Sequence, residues 1–238
     1  ISRIDKKDHG AFRMPIDRIF SVKGFGTVVT GTVTSGSVTI GTEVKIEPIS
    51  KLAKIRGINS HNNTSSSVSI GQRAAINLQN IDKDDIKRGY QVVDKNLFGG
   101  VYSVIAEIQI LDDLDKPIKR NQRVRIHLGT AEVIGTIFLF DQKNIKSGET
   151  ATVLINFEKP IVASYKDKFI IRHYSPIFTL GGGSIVLHSK IKNNFFNQDM
   201  KLSEISNMVN DIKNTDKNNF IDFIIEKFAL NPISFDDF

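Results

Sequence analysis

The chain of 238 residues contains no cysteine and no tryptophan. The first absence excludes disulfides, thiolate metal sites and a cysteine nucleophile, and it fits a reducing cytoplasm. No apolar run approaches the ~20 residues of a membrane-spanning helix, so no membrane partner is expected. No Gly-Lys-Ser or Gly-Lys-Thr triplet occurs, which excludes a phosphate-binding loop of the Walker type. The five histidines (His9, His61, His127, His173 and His188) never fall at His-x-His or His-x-x-x-His spacing, so no metal is expected. Acidic groups cluster at Asp82, Asp84 and Asp85 and at Asp112, Asp113 and Asp115, but both read as solvated turns rather than as acid/base pairs. A Met start and a charged-then-apolar leader are also lacking, and a piece of a longer protein is expected.

What is present is globular. Hydrophobic residues make up 40% and charged residues 24% of the chain. At ~150 residues per domain the length allows one or two domains. The net charge of +6 is unevenly spread. Residues 1–97 carry 15 basic and 9 acidic side chains, residues 98–191 carry 12 and 9, and residues 192–238 carry 5 and 8. A polyanion would therefore meet the first segment most favourably.

Residues 10–191 read as short strands separated by glycine-containing turns. Ile16 to Phe20 alternates apolar and polar side chains, the pattern of a half-buried strand. Thr27 to Val33 is rich in β-branched residues, and Gly31 within it signals a bulge or a close backbone approach. Further strands are expected over Ser37–Ile40, Glu43–Ile49, Leu52–Ile58 and Arg73–Leu78. After a pause at Asn96–Gly100 they resume over Ser103–Leu111, Arg123–Leu128, Ala131–Phe140, Thr150–Phe157 and Lys168–His173. Strands at this spacing without intervening helices point to barrels or sandwiches. Gly181-Gly182-Gly183 reads as a chain reversal.

Beyond Lys190 the period changes. Leu202, Ile205, Val209 and Ile212, then Phe220, Phe223, Ile224 and Phe228, recur at helical steps of three and four. The expected fold is thus mainly β: two successive antiparallel β-barrels, residues 1–97 and 98–191, followed by a linker and short α-helical segment, 192–238.

The string Val22-Lys23-Gly24-Phe25-Gly26-Thr27-Val28-Val29-Thr30-Gly31-Thr32-Val33 superficially suggests a phosphate loop. Such a loop needs a helix after it, and here a strand follows, so a tight hairpin is the better local reading. Three more strings follow in order: Val38-Thr39-Ile40-Gly41-Thr42-Glu43-Val44, Gly71-Gln72-Arg73-Ala74-Ala75-Ile76-Asn77-Leu78 and Ile86-Lys87-Arg88-Gly89. The ordered set resembles the second domain of translational GTPases. With Phe12-Arg13-Met14-Pro15-Ile16-Asp17-Arg18-Ile19-Phe20, Phe169-Ile170-Ile171-Arg172 and Thr179-Leu180-Gly181-Gly182-Gly183, it resembles the bacterial selenocysteine-specific elongation factors over roughly residues 10–190.

That resemblance implies translation-factor β-barrels, elongation factor domains 2 and 3, with residues 192–238 at the start of a winged-helix region. It implies a cytoplasmic protein that binds selenocysteinyl-tRNA and delivers it to the ribosome at UGA. A messenger-RNA hairpin would be met through the missing C-terminal region. This segment would hold the aminoacyl acceptor end and be no enzyme. GTP and Mg2+ would belong to the missing G domain of a GTPase parent. The alternative is the equivalent segment of another translational GTPase carrying a different aminoacyl-tRNA.

In that family an Asp-Arg pair before the hairpin and an Arg in the later strand form the amino-acid pocket. The resemblance carries these roles to Asp17, Arg18 and Arg73. The chemistry is compatible, because a selenol is more acidic than a thiol, whose ordinary pKa is ~8.5. A selenolate suits guanidiniums, which are permanently charged. The plainer reading pairs Arg18 and Arg73 with surface carboxylates such as Asp17. Lys119, Arg120, Arg123 and Arg125 are candidates for transfer-RNA backbone contacts, where charge is what matters. A solvated sheet face is their other reading.

Overall fold

In the computed structural model, residues 10–22, 26–60, 63–97, 99–140 and 142–189 are described, together with Asn207. They form two compact units whose main division falls between Gly100 and Val101. The expected helical segment, 192–238, lies outside the described residues apart from Asn207.

The first unit contains strands β1 (Arg13–Val22), β2 (Gly26–Thr32), β3 (Ser37–Thr39), β4 (Glu43–Glu47), β5 (Lys51–Ser60), β6 (Asn63–Ser65), β7 (Ser67–Ser69), β8 (Arg73–Gln79) and β9 (Gln91–Asp94). They run β4-β9-β1-β2-β8-β5-β6, and β4 also pairs with β5, so six strands close into an antiparallel barrel with β6 appended. β3 and β7 form a separate small ribbon. The helical piece of this unit is a 3-10 turn at Lys83–Asp85.

Alternation explains the closure. β2 and β8 each bury every second residue, which puts Val29, Ala74, Ile76 and Leu78 inside. They join Met14, Ile16, Val44, Ile46, Ile55, Ile58 and Val92 in one core. These are mostly β-branched or aliphatic side chains, which pack well on pleated surfaces.

The second unit contains β10 (Val101–Ile110), β11 (Ile118–Lys119), β12 (Gln122–Leu128), β13 (Ala131–Leu139), β14 (Asn144–Ile145), β15 (Thr150–Ile161), β16 (Lys168–His173) and β17 (Thr179–Ser189). Six of these close in the order β10-β15-β13-β12-β16-β17, with β17 returning to β10. β11 and β14 form a two-stranded flap. Val124, Ile126 and Leu128 of β12 turn inward while Arg123 and Arg125 stay outside.

One sequence expectation is corrected here. Gly181-Gly182-Gly183 is not a chain reversal but part of β17, paired with β10 on one side and β16 on the other. A Cβ at Gly181 would lie 2.2 Å from the Gln109 carbonyl oxygen, and one at Gly183 would lie 2.3 Å from that of Glu107. The glycines serve the close approach of neighbouring strands rather than a turn.

Candidate functional site

The expected site residues of the first unit meet where β1 departs from regular pairing. Ile16 pairs with Gly31, but Arg18 pairs with Thr30, so Asp17 is one extra residue on β1. This is a β-bulge, which kinks a strand and re-aims its side chains. Before it, Met14 and Ile16 face the core; after it, Ile19 packs against the core while Arg18 and Phe20 are exposed. Gly31 is required at this place, because a Cβ there would lie 2.2 Å from the Pro15 carbonyl oxygen and 2.9 Å from Met14 Cγ.

The bulge lets Asp17 use both carboxylate oxygens. Oδ2 accepts from Arg73 Nη1 at 2.6 Å, across 56 positions of sequence. Oδ1 accepts from the Thr30 hydroxyl at 2.6 Å. Arg73 begins β8 opposite Thr32, and its carbonyl accepts from Ser60 Oγ at 3.0 Å. The side chains of Asp17 and Arg73 are 23% and 54% exposed, so the pair is open on the arginine side.

Burial pushes the Asp17 carboxyl up, but the Arg73 and Thr30 hydrogen bonds and the charges of Arg73 and Arg18 outweigh it and hold the group below its ordinary 3.8. Asp17 is therefore ionised at neutral pH. With Arg18 and Arg73 it makes a cluster of two permanent cations and one anion. Such a cluster carries one net positive charge and retains N–H donors beyond the one that Asp17 takes. The structure thus brings Asp17 and Arg73 into contact and Arg18 into electrostatic range. Thr30, which the sequence reading did not single out as a site residue, joins them. Its role depends on the β1–β2 register, which local composition does not encode.

In the second unit the four candidate cations separate into two places. Lys119 and Arg120 lie on the β11 flap and line a groove of about 900 Å3, with Lys116, Asp115, Leu111 and Phe178. The Arg120 guanidinium sits 4.3 Å from the centre of the Phe138 ring. Arg123 and Arg125 instead bracket Tyr174, at 4.3 and 5.3 Å from its ring centre. Arg123 also pairs with Glu158, at 2.6 Å from Nη2 and 2.7 Å from Nε, and Arg125 Nε donates to the Tyr174 carbonyl at 3.2 Å.

Among the described residues no His, Asp or Glu group is arranged to hold a metal ion. The second half of the glycine string is strand β2, not a helix. No helix among the described residues is long and apolar enough to cross a membrane.

Two family models match the chain. One, selenocysteine-specific elongation factor β-barrel domain, covers residues 105–192. The other, elongation factor Tu domain 2, covers residues 26–93. Among curated proteins, a selenocysteine-specific elongation factor of Desulfomicrobium baculatum is 35% identical over 177 residues, 74% of this chain and 28% of that protein. The Haemophilus influenzae factor of the same name is 31% identical over 198 residues, 83% of this chain and 31% of its own length. The Methanocaldococcus jannaschii factor is 27% identical, over 70% of this chain and 38% of its own. The chain therefore spans about a third of the length of these relatives.

Proposed function

Because the chain is a relative of selenocysteine-specific elongation factors through both barrels, we propose that it is the part of such a factor that holds the aminoacyl end of selenocysteinyl-tRNA. Residues 1–97 and 98–191 serve as elongation factor domains 2 and 3, and residues 192–238 open a winged-helix region. The parent is a cytoplasmic GTPase with GTP and Mg2+ in a separate G domain. It delivers its transfer RNA to the ribosome at UGA and meets a messenger-RNA hairpin through its C-terminal region. This segment does no GTP chemistry of its own, having neither a Gly-Lys-Ser/Thr triplet nor a helix after its glycine string. Titration of the chain with GTP in a calorimeter is expected to give no saturable heat, and tight binding would refute that part.

The observation that supports the pocket is a carboxylate on the β1 bulge paired with one guanidinium, that of Arg73, with a second, that of Arg18, in electrostatic range. The net positive charge suits a selenolate, whereas a serine hydroxyl is neutral. Asp17 fixes Arg73 by one N–H and leaves others for a ligand anion. Lys119, Arg120, Arg123 and Arg125 are proposed as backbone contacts, with Lys119 and Arg120 the more available pair.

The test is Arg73→Ala in the complete factor. Losing one charge-assisted partner of a desolvated anion costs ~2–5 kcal/mol, and the exposure of Arg73 places the effect at the low end. The preference for selenocysteinyl-tRNA over the seryl form of the same transfer RNA is expected to fall accordingly at fixed salt. An unchanged ratio of dissociation constants would place discrimination elsewhere and favour a factor for another aminoacyl-tRNA.

A further inference from the structure

Asp17 occupies the extra position of a β-bulge, so the ladder that orders its neighbours does not fix it in the same way. The terminal torsion of an aspartate is broad, and one ion pair with a long, half-exposed arginine leaves the carboxylate free to swivel. Thr30 removes that freedom. It sits on β2, held between β1 and β8, and its β-branched side chain is stiff at χ1. The 2.6 Å separation from its hydroxyl to Asp17 Oδ1 is that of a charge-assisted O–H···O− bond.

We propose that Thr30 is a positioning residue: its hydroxyl locks the Asp17 carboxylate so that the second oxygen sets the orientation of the Arg73 guanidinium. A ligand anion then meets a pre-oriented Arg73 rather than one sampling many rotamers, which lowers the ordering cost of binding. The charged groups facing Asp17 are Arg73 and Arg18. This inference rests on the reading of the site as an anion-selective aminoacyl pocket, but it concerns a residue that reading does not use.

Thr30→Val keeps the branched shape and removes only the hydroxyl; Thr30→Ser restores the hydroxyl on a smaller frame. The first readout is the titration of the Asp17 side-chain carboxyl carbon, followed by NMR in the 238-residue chain. Its midpoint is expected to rise in Thr30→Val and to return in Thr30→Ser. The second readout is the ratio of dissociation constants for seryl- and selenocysteinyl-tRNA on the complete factor. It is expected to fall about two- to tenfold in Thr30→Val, the net worth of one hydrogen bond, and to recover in Thr30→Ser. An unmoved Asp17 midpoint in Thr30→Val overturns the proposal. So does a wild-type ratio in that variant when the wild-type factor discriminates. If the wild-type factor itself does not discriminate, the pocket reading fails, and the positioning role then stands or falls on the Asp17 midpoint alone.

Discussion

Both barrels close with six strands, in different strand orders, and they distribute their polar groups differently. Of the five buried polar or charged side chains among the described residues, Thr27, Ser35, Glu47 and Gln91 belong to the first barrel and only Ser103 to the second. Thr27 donates to the Ile81 carbonyl at 2.8 Å, and Ser35 to that of Ala11 at 2.7 Å. Glu47 is fully buried, with Lys45 at 3.1 Å and Ser50 Oγ at 3.1 Å, while Lys45 also reaches the Leu97 carbonyl at 2.7 Å. The second barrel places Arg123 and Arg125 outside, against Tyr174 and Glu158, and relies on glycines and on aliphatic and phenylalanine side chains within. The first barrel is pinned by polar contacts between distant segments; the second is pinned by fit. A polar pin fails when one partner is lost, because the other is stranded in a low-dielectric interior. A fitted contact fails when volume is added.

Glu47→Ala gives the sharpest test of that contrast. Breaking a buried ion pair costs ~3–5 kcal/mol, and the slight exposure of Lys45 favours the lower figure. Urea unfolding is expected to show the loss, and hydrogen exchange to show it in β4, β5 and β9 rather than in β10–β17. Loss spread evenly over both barrels would break the comparison.

Added volume is the next test. Gly183→Ala sets a methyl 2.3 Å from the Glu107 carbonyl oxygen, and Gly31→Ala sets one 2.2 Å from that of Pro15. In both cases the obstacle is backbone, so relief demands movement of a strand, and overpacking of this kind costs ~1–3 kcal/mol or more. The two substitutions differ in what else they disturb. Gly31→Ala is expected to change selenocysteinyl-tRNA discrimination by moving the bulge that carries Asp17. Gly183→Ala is expected to lower stability in urea while leaving that ratio alone. Equal effects on the ratio would erase the distinction.

The smallest expected effect is the acid limb. The Asp17 carboxyl lies below its ordinary 3.8 in the folded chain, so the folded state favours its ionised form. Its contribution is fully present above the unfolded value and fades as pH falls through the lowered folded one. The stability difference between the wild type and Asp17→Asn, followed by urea unfolding, is expected to stay flat from neutral pH down to about 5 and to shrink below about 4. A difference that grows on acidification would contradict the assigned sign.

Much of this arrangement is legible in the sequence, for reasons that differ by element. β12 announces itself because its polar and apolar residues alternate, and β2 because it is rich in β-branched residues. Adjacent residues in a regular strand point to opposite faces, so bringing both Asp17 and Arg18 to one site demands a bulge or a strand end near Pro15. β17 is not legible at its start, since three successive glycines carry no side chains from which to read a period. Thr30 is hidden for another reason. Its importance comes from a partner 13 positions away, and only the register of a bulged pair reveals it. The Arg123–Glu158 and Arg125–Tyr174 contacts likewise join strands and loops that no local pattern connects.

The extra residue at Asp17 makes the length of β1 itself a carrier of information. Elsewhere one residue more or less in a surface loop is absorbed at little cost. Within this strand, deletion of residue 17 would leave Ile16 opposite Gly31 and Arg18 opposite Thr30 as an unbroken ladder, with Ile16 and Ile19 still facing inward and Arg18 and Phe20 outward. The core would keep its residues, and what would be lost is the kink together with the carboxylate that it aims at Arg73 and Thr30. Asp17→Ala removes the carboxylate and keeps the bulge, whereas deletion of residue 17 removes both, so the two are not equivalent operations. Aligned sequences bearing a gap between Ile16 and Arg18 describe a different strand, not the same strand without its acid.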